Sequence, residues 1–73
     1  MSEHHPTITI RPSDSDFLSN ARALEAAKTH CKVQSSGDTW HNTPITLIED
    51  AGCIEFAGHV EFYHDIVAIS FFL

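Results

Sequence analysis

Apolar and polar residues alternate from Thr7 to Arg11, with Ile8 and Ile10 on one side and Thr7, Thr9 and Arg11 on the other. That period of two predicts a short, half-buried strand. Pro6 and Pro12 bracket it, which suits an edge or strand-end position. Ser13-Asp14-Ser15-Asp16 then offers several N-cap candidates, and the spacing changes to that of a helix from about Phe17 to Lys32. Phe17, Ala21, Leu24 and Cys31 fall near one face, with Ala27 beside them. Ala21, Ala23, Ala26 and Ala27 make this helix thin enough to lie close to a sheet. Lys28 and Lys32 fall in its last turns, where they complement the dipole. Gln34-Ser35-Ser36-Gly37-Asp38 is the expected loop.

The remaining chain alternates almost throughout. Ile45 and Leu47 alternate with Thr46 and Ile48, and Asp50-Ala51-Gly52 gives a turn signal. Beyond it, Ile54, Phe56, Gly58, Val60 and Phe62 share one side, and Cys53, Glu55, Ala57, His59, Glu61 and Tyr63 the other. A two-residue turn at Ala57-Gly58 would send Val60 to the polar side. The expectation is therefore one long strand, bent or bulged at Gly58. A turn at His64-Asp65 then sets Val67, Ile69 and Phe71 on the side of Phe62.

These elements predict a single α+β domain spanning residues 1–73, with residues 1–6 a frayed terminus. Its order is β-α-β-β-β: an antiparallel sheet with one helix packed on one face. The other face would carry Ile48, Glu55, His59, Glu61, Tyr63, Ile66, Ala68, Ser70 and Phe72. Two readings fit it: an apolar patch with a charged rim that serves as an interface, or a last strand packed on both sides because the sheet curls around the helix. A homodimer through this face or an edge strand, with the apolar run Ile66 to Leu73 as a contact, would supply burial that a small domain lacks.

Charge changes this picture most. The chain has 73 residues and a formal net charge of −6. All four basic residues, Arg11, Arg22, Lys28 and Lys32, lie in the first 32 positions and are cancelled there by Glu3, Asp14, Asp16 and Glu25. The excess resides in Asp38, Glu49, Asp50, Glu55, Glu61 and Asp65. Such a surface either keeps a small protein in solution or steers it toward a basic partner. It is poorly suited to sequence-independent binding of nucleic acid, where phosphates must be neutralised. No run approaches the ~20 apolar residues of a membrane span, and the first residues lack the basic and apolar regions of a signal peptide.

Candidate chemistry is sparse. Cys31 and Cys53 are the only cysteines. Cys31 is expected in the core and Cys53 outside it, so free thiols are expected over a disulfide. There is no zinc-knuckle spacing, phosphate-binding glycine loop or nucleophile elbow. His59 and Glu61 share a strand face and could give two metal ligands, but no third is specified. The expectation is a protein that is not an enzyme and uses no metal or cofactor. Trp40 either anchors its loop against the helix end or serves as a contact aromatic.

Ala27-Lys28, Gln34, Trp40-His41-Asn42-Thr43 and the strand ending Leu47-Ile48-Glu49 resemble, in part of the chain, small phage-encoded anti-CRISPR proteins of type I systems. In that family a helix carrying Ala-Lys is followed by Gln, an aromatic-His-Gly-Thr turn and a hydrophobic strand. Here Asn42 stands in the glycine position and Pro44 follows the threonine. The resemblance implies a cytoplasmic protein of an infected bacterial cell that inhibits a CRISPR-Cas surveillance complex or its nuclease. Combined with the charge map, it implies occupation of a basic nucleic-acid channel without direct contact with nucleic acid. Glu49, Asp50, Glu55, Glu61 and Asp65 would supply the charge, and Tyr63 and Trp40 the anchors.

Overall fold

The computed structural model describes residues 7–72. The frayed terminus at residues 1–6 and the end of the apolar run at Leu73 lie outside the described residues. Strand β1 (Thr7–Ile10) leads into helix α1 (Phe17–Ala27), followed by β2 (Cys31–Ser35) and β3 (Asp38–Thr43). Then come β4 (Ile45–Ile48), a 3-10 turn (Glu49–Ala51), β5 (Cys53–Phe56) and β6 (His59–Phe62). A second 3-10 turn (Tyr63–Asp65) precedes β7 (Ile66–Phe72). The expected α+β composition, with one helix and antiparallel strands, is present. The sheet topology is richer than β-α-β-β-β: a four-stranded sheet ordered β1-β7-β2-β3 and a three-stranded meander β4-β5-β6.

The helix stops one turn short of its expected end. Lys28 takes a left-handed conformation (φ 53°), its N–H bonding the Glu25 carbonyl while Thr29 N–H reaches back to Leu24. This is a Schellman-type termination. Beyond it, Cys31, Val33 and Ser35 are buried and alternate with less buried residues, so the expected last helical turn and the first half of the expected loop are a strand. Lys28 is thus the cap itself and Lys32 lies in β2; neither sits in the last helical turn. Asp16 makes no side-chain cap, and the Asp14 carboxylate accepts Arg11 N–H at 2.9 Å. Phe17, Ala21 and Leu24 form the buried face as expected, whereas Ala27 is exposed.

Three features explain the other departures. Phe56 pairs with His59 across a two-residue turn at Ala57-Gly58, where φ is +50° and +80°. Positive φ at both positions belongs to the tight hairpin turn whose twist matches its strands. The long bent strand is therefore two strands, and Val60 and Phe62 are exposed, at 54% and 52%. In β7 the pairing with β2 shifts between Gln34–Ala68 and Ser35–Ile66. The extra residue Val67 is exposed, while Ile66 turns inward with Ile69. Strand β7 does not pair with β6; it lies between β1 and β2. The chain passes between the sheets at Pro44 and again at Tyr63–Asp65.

One core joins the pieces. Phe17, Ala21 and Leu24 of the helix meet Ile10, Cys31, Val33 and Ile69 of one sheet and Ile45, Ile54 and Phe56 of the other. Ile66, Ala68 and Ser70, expected on an open face, are buried. Phe72 and Ile48 of that expected face are exposed. The Thr43 hydroxyl donates to the Pro44 carbonyl and accepts Ala57 N–H, both at 3.1 Å, tying the sheet-switching corner to the β5–β6 turn.

Candidate functional site

The hairpin turn redistributes the residues expected on one acidic face. Cross-strand partners point to the same side of a sheet. Thr46, Glu55 and Val60 therefore share one side with Ile48, Cys53 and Phe62. His59 and Glu61 lie on the opposite side with Ile45, Leu47, Ile54 and Phe56. Glu55 and Glu61 do not form one surface. The outward side carries the exposed carboxylate Glu55 among three exposed apolar residues, Ile48, Val60 and Phe62. Cys53, expected outside, is only 6% exposed there.

The other carboxylates differ in their availability. Glu49 is engaged by Arg22: Nε donates to both carboxylate oxygens at 3.2 Å and an Nη2 donor reaches Oε1. That guanidinium holds the Glu49 carboxyl below its ordinary value, and Glu49 raises Arg22 in turn. Asp50 is exposed on the first 3-10 turn, and half-buried Asp65 has His64 Nε2 at 3.7 Å. Sequence reasoning placed Arg22 in the balanced segment and missed this contact across 27 positions. It also missed the role of Glu25, whose carboxylate accepts the Leu47 N–H at 2.8 Å. Neither pairing has a local sequence signal, because each depends on α1 lying along β4.

Tyr63 and Trp40 both serve the interior. Tyr63 packs edge-on against Phe17, with centroids 5.8 Å apart, and its hydroxyl finds no hydrogen-bond partner among the described residues. Burial and nearby Glu49 push that hydroxyl above its ordinary value. Trp40 packs edge-on against Phe56 at 5.1 Å and against the His59 ring at 5.0 Å. It remains half-buried, so the anchoring role does not remove all of its surface. The His59 ring thus lies tilted against Trp40 and Phe56, and among the described residues no three His, Cys, Asp or Glu side chains gather to hold a metal ion. Cys31 and Cys53 are both free thiols, donating to the Thr29 and Ala51 carbonyls. Burial pushes the Cys31 thiol up to about 11.

A cavity of about 360 Å³, not anticipated from the sequence, opens where β3 bulges opposite Lys32. It is bordered by Thr7, His30, Lys32, His41, Asn42 and Phe72. Asn42 has φ +56° and its Oδ1 lies 3.0 Å from His30 Nδ1. Asparagine tolerates this left-handed conformation better than most residues. Among the described residues, no helix is long and apolar enough to cross a membrane. No family model, curated protein or solved structure matches the chain.

Proposed function

We propose that the protein is a small acidic binding module that occupies a basic surface of a larger protein. Its mode of action is contact, without catalysis or a cofactor. The observation that carries the reading is the one-signed charge: no Lys or Arg occurs from Val33 onward, and six carboxylates do. Arg22 neutralises Glu49. Asp50 and Glu55 stay exposed, and Asp38 is exposed at the β2–β3 turn. In the specific form implied by the sequence resemblance, the partner is a CRISPR-Cas surveillance complex or its nuclease. The outcome is inhibition in the cytoplasm of a bacterial host. The left-handed Asn42 supports that form, because the resembling proteins carry glycine there and glycine favours the same conformation.

Of the residues expected from the sequence to make contact, namely Glu49, Asp50, Glu55, Glu61, Asp65, Tyr63 and Trp40, this geometry favours a narrower set. Asp50 and Glu55 supply free charge, and Ile48, Val60 and Phe62 supply apolar contact. Tyr63 contributes chiefly to packing. Charge of this kind acts largely on association rate and partner choice. A pull-down with a purified type I effector, at low and raised salt, tests the reading. The expected result is retention at low salt, weakened by salt and lost in the Asp50→Lys, Glu55→Lys variant. No retention, or retention indifferent to both charge reversals, would reject it.

A further inference from the structure

Among the described residues the two sheets leave four edge strands, and they are not equally protected. Strand β1 is four residues long and is followed closely by Pro12. Strand β3 is bulged at His41–Asn42. On β4, the Leu47 amide is already taken by Glu25. Short strands, prolines, bulges and side-chain coverage are the usual means of blunting an edge. Strand β6 is as short as β1, but among the described residues it has no proline, no bulge and no side-chain cover on its outward amides. Tyr63 N–H bonds back to the Gly52 carbonyl, so odd-numbered residues of this strand direct their amide groups to β5. The amide groups of Val60 and Phe62 therefore face the open edge, and both side chains are about half exposed.

We propose that this edge is a homodimer interface in which β6 pairs antiparallel with β6 of a second copy, joining two three-stranded sheets into one of six. Keeping both cores on the same side of the joined sheet restricts the register. One permitted arrangement places the dyad at Glu61 and sets two carboxylates opposite each other. A dyad at His59 or Phe62 would pair a single strand residue with its equivalent, and the remaining one lies at Val60. Val60 then exchanges both backbone hydrogen bonds with its equivalent, and His59 of each copy lies opposite Glu61 of the other. Phe62 falls opposite Gly58, whose missing side chain leaves open space. Cross-strand pairing disfavours like charges and favours the His–Glu arrangement, which selects the Val60 dyad. The interface leaves Asp50 and Glu55 outside it but shares the Val60 and Phe62 side chains with the partner contact proposed above.

Sedimentation equilibrium of the full chain from about 5 to about 200 µM tests this, a range that reveals an interface of modest size. Reversible monomer–dimer behaviour is expected. Val60→Pro removes only the outward amide and abolishes association. Glu61→Lys weakens it about tenfold, and adding His59→Glu to that variant restores it by exchanging the paired charges. Thermal melts verify that each variant is folded, and the charge-exchange pair decides the matter if Val60→Pro is not. A strict monomer overturns the proposal and leaves the edge to a strand of another protein. A dimer insensitive to Val60→Pro and Glu61→Lys overturns it too, and a dimer without rescue by the exchange overturns the register.

Discussion

Cys31 and Glu49 make opposite use of their surroundings. Cys31 is buried as a neutral thiol, and burial alone raises it to about 11 from an ordinary value of 9.0. The unfolded thiol loses its proton first as pH rises, so this contribution to stability is complete below about pH 9 and is lost between about 9 and 11. Melting temperature should fall across that interval, and less steeply in Cys31→Ala. Neither buried thiol should react with a thiol reagent in the native protein at neutral pH, and both should once it is unfolded. Glu49 behaves in the reverse sense. Arg22 holds its carboxyl below 4.5, so the pair contributes above that pH and the contribution is lost as pH falls through the lowered value. Acid titration of stability in Glu49→Gln should show a smaller loss than the wild-type chain. The pair is exposed and screened by salt, so its effect is small at neutral pH. Both assignments were beyond sequence reasoning in part: the core position of Cys31 was legible, but the Arg22–Glu49 contact required the helix to be placed against β4.

At the level of elements, the turn at Ala57-Gly58 decides which side chains meet solvent. Local pattern made β1, the helix face Phe17–Ala21–Leu24 and β4 legible, because each carries an unbroken period. It misread the start of β2 as helix and its end as loop, because the helical composition of Ala26-Ala27-Lys28 runs up to the point where the backbone turns left-handed at Lys28 and gives no stop signal there. It joined β5 to β6 because an uninterrupted apolar alternation looked decisive, whereas Val60 and Phe62 are outward apolar residues on an edge strand. In the last strand the bulge at Val67 misplaced only its start: Ile66 turns to the core and Val67 to solvent, whereas Ile69 and Phe71 keep the core side expected of them. The acidic residues were legible as a charge excess, but their division between two sides of the meander was not. Ala57 holds φ +50° at a position where asparagine is favoured. Ala57→Asn should therefore stabilise the protein by about 1 kcal/mol in urea titration, and Gly58→Ala should destabilise it by a similar amount.

The whole molecule depends on one shared core more than on either sheet. Ile54 and Phe56 of the meander contact a cluster completed by the helix and by Val33 and Ile69 of the larger sheet. Truncating a buried side chain of this size costs about 3–5 kcal/mol, comparable with the whole stability of so short a chain. Phe56→Ala should consequently abolish the cooperative thermal transition seen by circular dichroism. It also removes the ring under Trp40. With the core holding both sheets, Asp50, Glu55 and the apolar residues Ile48, Val60 and Phe62 of the meander remain exposed to solvent. The most direct measurement is the equilibrium binding of the wild-type chain and of its Asp50→Lys, Glu55→Lys variant to a purified type I CRISPR surveillance complex and its nuclease across a salt series. Saturable binding that weakens as salt rises and disappears on charge reversal is the expected result; absence of binding at low salt, or equal binding by both forms, would contradict a contact made through the acidic meander.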